Sequence, residues 1–242
     1  MGPGTRKLRP FLLLALAYAI AWALIYLLIP LRSADDWYRT CLWMTPTKAL
    51  AFGGLLYLDR RAGMATACGL FRTHGPRPLP HGLLLTALWG LLWSLSSGLR
   101  WTWTQTLAGA AASLAIGFFE EYAYRGVVMD ELQRRWGALP AVLGSSVLFT
   151  LSHLRPQAIP SWPHIFLTGA VFANLRLRGM GLGQLALIHA ALDTLFFFVG
   201  KDMVHELGGA RYHLMLAGLF VYAVCTWPRD PRAAGNGDIA RL

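Results

Sequence analysis

Charge is scarce in this chain. Asp, Glu, Lys and Arg make up only 14% of its 242 residues, against roughly 25% in an average soluble domain. Acidic residues are the rarest, 12 against 22 Lys and Arg, for a formal net charge of +10. The three cysteines, Cys41, Cys68 and Cys225, have no metal-site spacing, and their odd number excludes a fully paired disulfide framework. There is no Gly-x-Ser-x-Gly elbow, no phosphate-binding glycine loop and no His-Glu-x-x-His pair, so the commonest hydrolase, nucleotidase and zinc-peptidase signatures are missing. No internal repeat or low-complexity tract is visible.

Apolar residues are abundant instead, at 55%, and they fall in blocks. The blocks cover roughly 10–30, 42–58, 82–98, 105–128, 138–154, 161–175, 182–199 and 210–227. Their lengths approach the roughly 20 residues of a membrane-crossing helix. The expectation is an all-α, polytopic transmembrane helical bundle of about eight spans. The first block follows Arg6, Lys7 and Arg9 and reads as a retained span rather than a signal peptide. Block 42–58 is the weakest, because it holds Pro46 and Lys48, and Lys48 is expected to snorkel or lie at an interface. With eight spans, segments on the N-terminal side hold 14 Lys and Arg and the opposite side 6. That bias places both ends in the cytoplasm and the chain in the plasma (cytoplasmic) membrane as a multi-pass protein. Residues 1–242 are expected to form a single membrane domain, with 228–242 a disordered tail. The basic surplus then points to anionic lipid rather than nucleic acid as a partner.

Ionisable residues inside apolar blocks are costly and usually functional. Block 105–128 carries Glu120, Glu121 and Arg125. Block 138–154 ends at Phe149-x-x-x-His153, and block 182–199 holds His189-x-x-x-Asp193. Glu121 and Arg125 are four apart and share a helix face. Glu120 points about 100° away. His189 and Asp193 also share a face. A hairpin turning at Gly137 puts Glu120, 17 residues before it, level with His153, 16 residues after it. All six groups can then meet in one hollow. Apolar side chains would stabilise such a junction at lower desolvation cost, so the set calls for a chemical reason.

A glutamate and a histidine flanking a cavity can deprotonate water, while a second histidine donates to the oxyanion developing on a carbonyl. Two histidines and a carboxylate can also hold zinc. The residues alone leave both routes open: no cofactor, or a divalent metal on Glu120, His153 and His189.

In order and spacing, Glu120-Glu121-x-x-x-Arg125, Phe149-x-x-x-His153 and His189-x-x-x-Asp193 resemble the CPBP (Abi) family. These are CAAX-processing and bacteriocin-processing intramembrane glutamic endopeptidases, related to the type II CAAX prenyl endopeptidase. The resemblance covers roughly 83–200, a catalytic core. It implies an endopeptidase cutting near the C-terminus of a membrane-associated protein or peptide. Glu120 would activate water, assisted by His153. Glu121 and Arg125 would support the site, and His189 with residue 193 would form the oxyanion site. The prenyl protease usually has Asn at that last position. An ionised Asp193 cannot donate a hydrogen bond, so it must be protonated or else orient His189. The alternatives are a proton-coupled membrane transporter and a non-catalytic immunity or scaffold protein of the same fold.

Overall fold

A computed structural model describes residues 3–29, 34–62, 70, 77–93, 102–153, 156–199 and 209–228. The described residues are all helical or loop. The α-helices are α1 (Pro3–Leu28), α2 (Ala34–Ala62), α3 (Pro78–Trp93), α4 (Trp103–Glu120), α5 (Met129–Trp136), α6 (Ala138–Leu151), α7 (Trp162–Leu177), α8 (Leu182–Val199) and α9 (Ala210–Thr226). A π-helix, Glu121–Val128, joins α4 to α5, and a 3-10 turn, Pro156–Ser161, leads into α7. The all-α class and the positions of the apolar blocks agree with this order. Most of loop 59–81 and nearly all of the tail expected over 228–242 lie outside the described residues.

Local chemistry explains the boundaries that matter for the site. The α4 helix opens on a capping box: Gln105 N–H donates to Thr102 Oγ1 at 3.3 Å, and Thr102 N–H donates to Gln105 Oε1 at 2.9 Å. Two otherwise unpaired donors of the first turn are thereby satisfied. The expected hairpin does turn at Gly137, whose φ of +85° is costly for any residue with a Cβ. The α4 helix lies between α8 and α2, α6 packs on α5 and α7, and α9 covers α7 and α3. The main core joins Leu85 of α3, Val171, Phe172 and Leu175 of α7, Leu185 and Leu192 of α8, and Met215 and Leu219 of α9. A second, smaller core of Cys41, Met44, Ala112 and Ile116 joins α2 to α4.

The expectation of membrane-crossing helices is corrected here. Among the described residues, no helix is long and apolar enough to cross a membrane. Contiguous apolar sequence was counted as span length, but several of the helices it marks are short. The α3, α6, α7 and α9 helices have 16, 14, 16 and 17 residues, below the roughly 20 a crossing needs. Block 105–128 divides at Glu120, where α-helical hydrogen bonding gives way to the π-helix. The 29-residue α2 carries Pro46, Lys48, Asp59, Arg60 and Arg61. The polytopic transmembrane bundle, the eight spans, the two cytoplasmic ends, the multi-pass location in the plasma membrane and an intramembrane reaction all fall with this finding. So does a proton-coupled membrane transporter. Exposed leucines remain on the outer faces of α1, α2 and α9, among them Leu16, Leu50 and Leu214.

The α4–α8 contact leaves no room for a side chain at Gly117. A Cβ built there would stand 2.4 Å from the Ala186 carbonyl oxygen and 3.1 Å from Ala190 N. Both are backbone atoms that cannot swing aside. Gly117→Ala is therefore expected to destabilise the fold by about 1–3 kcal/mol, the usual cost of overpacking. Thermal unfolding of the variant checks this, and an unchanged melting temperature contradicts it.

Candidate active site

Glu120 ends α4 and Glu121 begins the π-helix, so the two carboxylates lie on either side of the change in backbone hydrogen bonding. A π turn is wider than an α turn and recurs at functional sites. Both carboxylates approach a single imidazole. His189 Nδ1 lies 2.7 Å from Glu121 Oε1, and His189 Nε2 lies 3.8 Å from Glu120 Oε2. Asp193, one turn further along α8, places Oδ2 3.7 Å from the same Nε2. Arg125 Nη1 donates to Glu121 Oε1 at 3.2 Å, as the four-residue spacing anticipated. Glu121 and Arg125 are wholly buried, and Glu120 and His189 nearly so.

His153 follows the end of α6. Its Nδ1 lies 2.9 Å from the Phe149 carbonyl. A carbonyl only accepts, so Nδ1 carries the proton and Nε2 keeps its lone pair. Trp162 Nε1 donates to the His153 carbonyl at 3.0 Å and fixes the backbone there. Among the described residues no hydrogen bond joins His153 to Glu120. The two interact through space. The Phe149 ring stands 4.2 Å below the Arg125 guanidinium carbon and makes edge contacts with both His153 and His189. Sequence reading placed Phe149 in the motif but gave it no role.

Sequence reading also missed Lys48. Instead of snorkelling, its Nζ donates to Glu120 Oε1 at 2.5 Å in an almost fully buried ion pair. The ammonium lies 4.8 Å from the Phe119 ring, 5.1 Å from Tyr18 and 5.2 Å from Trp22. The signal was a lone lysine in an apolar block. Its partner is 72 residues away, which no local pattern reports.

The electrostatics follow from burial and neighbours. For Glu120, burial alone would raise the carboxyl pKa, but Lys48, His153 and His189 together hold it down at about 2. For His189, burial opposes the charged ring, yet Asp193 and Glu121 raise its pKa to about 9. Burial lowers His153, with Glu120 pulling the other way. Asp193 is lifted to about 6, chiefly by burial and against the pull of His189, with Glu120 adding to the rise. At neutral pH the ring of His189 is charged, that of His153 is neutral, and Glu120 is ionised.

Zinc on Glu120, His153 and His189 does not fit these donors. Among the described residues no three His, Cys, Asp or Glu side chains are grouped to hold a metal ion. The ammonium of Lys48 occupies Glu120 Oε1, and Arg125 and His189 share Glu121 Oε1.

Residues 100–195 match the family described as Type II CAAX prenyl endopeptidase Rce1-like. The chain carries an Rce1-like domain. The match supports a hydrolase of the protease class. The domain runs from just before α4 to Leu195 in α8 and contains Glu120, Glu121, Arg125, His153, His189 and Asp193. Lys48 lies outside it. No curated protein and no solved structure matches the chain.

Within the Rce1-like domain, Arg125 is wholly buried against Glu121. Removing one partner of such a pair leaves an uncompensated charge, at a cost of about 3–5 kcal/mol. Arg125→Met is expected to lose stability on that scale in denaturant unfolding at pH 7. Arg125→Met combined with Glu121→Gln should regain part of it. A double variant no more stable than the single one contradicts this account.

Proposed function

We propose that the chain is a peptidase in which Glu120 activates water against a peptide carbonyl. The observation that carries this reading is the single imidazole, His189, facing both glutamates, with Glu120 Oε2 3.8 Å from His189 Nε2. Oε2 is buried without a hydrogen-bond partner in the protein. The separation is too long for a direct hydrogen bond, but one water can bond to both atoms. A water in such a site needs two to four polar partners, and the neutral Nε2 of His153 is a candidate third.

The reaction balances as follows. Water oxygen bonds to the carbonyl carbon as its proton passes to Glu120, with His153 accepting a hydrogen bond from the same water. The carbonyl π pair moves onto oxygen, where the imidazolium of His189 donates to it. The pair then returns, the C–N bond breaks, and the amine leaves with the proton that Glu120 took up. Glu121, bonded to His189 Nδ1, orients the ring. An ionised Asp193 has no hydrogen to donate. Its part in this scheme is to hold His189 protonated, which replaces the donor role of Asn in the prenyl protease. The substrate class proposed follows the name of the matched family: a peptide ending in a CAAX tetrapeptide whose cysteine carries a prenyl chain.

The test uses quenched-fluorescence peptides ending in CAAX, with and without a farnesyl group on cysteine. Wild-type protein is expected to cleave at least one of them, and Glu120→Gln to lower kcat by about 10²–10⁴, the usual weight of a general base. Equal cleavage by both proteins contradicts the proposal. The pH profile adds a second expectation. His189 is charged below its pKa of about 9, so the rate holds at neutral pH and falls as pH rises through that value. Glu120, ionised above about 2, sets no acid limb in the neutral range. A rate that climbs steadily beyond pH 9 would rule out the imidazolium's part.

A further inference from the structure

The cluster contains three cations and three acids, all buried or nearly so except the partly exposed Asp193, and its neutrality depends on a residue outside the Rce1-like domain. Lys48, Arg125 and His189 carry positive charge, and Glu120, Glu121 and Asp193 carry negative charge. Arg125 is bonded to Glu121, and His189 sits among all three acids. Lys48 alone among the cations is bonded to Glu120. Without it, three carboxylates would share two positive charges in a site nearly closed to water. Like-charged carboxylates in low dielectric do not all ionise, and Glu120, which alone loses its bonded cation while Glu121 keeps Arg125 and His189, is the one driven toward the protonated form. A protonated Glu120 cannot accept a proton from water.

We infer that Lys48 is a positioning residue that keeps the Glu120 carboxylate ionised and aimed, so that α2 completes a site otherwise built by the Rce1-like domain. The inference rests on the reading of Glu120 as the base. Its geometric support is threefold. The ion pair is 2.5 Å long and almost fully buried. The ammonium is held by three aromatic faces, Tyr18 and Trp22 of α1 and Phe119 of α4, and aromatic faces attract a cation. Finally, Lys48 binds Oε1 and leaves Oε2, the oxygen facing His189, for water.

The groups around Glu120 define what else can titrate: Tyr18 from α1, Lys48 from α2, Glu121 and Tyr124 from the π-helix, His153 after α6, and His189 and Asp193 from α8. Lys48 is the one bonded to Glu120. Lys48→Met removes the charge and keeps the apolar stem. Lys48→Arg keeps the charge.

The experiment combines infrared spectroscopy of the carboxylic-acid C=O stretch with the cleavage assay on the farnesylated CAAX peptide. At pH 7 Lys48→Met is expected to gain an acid band that is absent from the Lys48→Met, Glu120→Gln double variant. Its cleavage rate at pH 7 should fall at least tenfold and partly recover at higher pH, an acid limb in the neutral range that Glu120 does not set in the wild type. Lys48→Arg should keep Glu120 ionised and show no such limb. An unchanged pH profile in Lys48→Met, with no Glu120-dependent acid band, overturns the inference. Subtracting the Glu120→Gln spectrum from wild type needs no lysine variant: a Glu120 acid band above pH 5 also overturns it, and absence of that band down to pH 5 agrees with it. Should Glu120→Gln cleave the peptide as wild type does, the peptidase reading fails, while the infrared result still decides whether Lys48 holds Glu120 ionised.

Discussion

The imidazole of His189 stands 2.7 Å from one glutamate and 3.8 Å from another, and the helices around it are placed to make that contact tolerable. Two adjacent carboxylates in a nearly dry site repel each other and lose their hydration. Each is matched to its own cation, Glu120 to Lys48 and Glu121 to Arg125, and the charged ring serves both. The fold requirements follow from there. The α4 and α8 helices must approach until a glycine is needed at 117. The chain must change its hydrogen bonding at Glu121 so that consecutive glutamates reach opposite sides of one ring. The α2 helix must deliver a lysine from far away in sequence.

The same arrangement divides labour among chemically similar groups. Each glutamate keeps one buried oxygen without a hydrogen-bond partner, but that of Glu120 faces His189 Nε2 at 3.8 Å, whereas Glu121 is tied through Oε1 to both Arg125 and His189. His153 is neutral, with its Nδ1 proton committed to the Phe149 carbonyl, whereas His189 is charged. Environments that push like groups apart are how a site separates base, orienting group and electrophile. Phe149 supports this division from below, with its face under the Arg125 guanidinium and its edges on both histidines.

Much of this was legible in the sequence, for a reason that also explains what was not. Apolar blocks marked the helices well: block 182–199 coincides with α8, and block 210–227 with α9 to within one residue. Glu121 with Arg125 and His189 with Asp193 could be paired because four-residue spacing in a helix fixes proximity. Gly137 marked the turn. Two blocks overran their α-helices, because apolar sequence continues into the π-helix after Glu120 and past the end of α6, and the reading of membrane-crossing helices failed. The π-helix itself is a slip in backbone hydrogen bonding that leaves no side-chain period to find. Lys48 was noticed as an oddity, but its partner depends on how α2 packs against α4, which is tertiary information.

Everything in the site turns on His189 being held as an imidazolium by the carboxylates around it. Nitrogen-15 NMR of the His189 ring reports this directly, assigned by comparison with His189→Gln. The account predicts two protonated ring nitrogens at pH 7, with the proton lost only near pH 9. A neutral ring at pH 7, titrating near the ordinary histidine value of about 6.5, would contradict it.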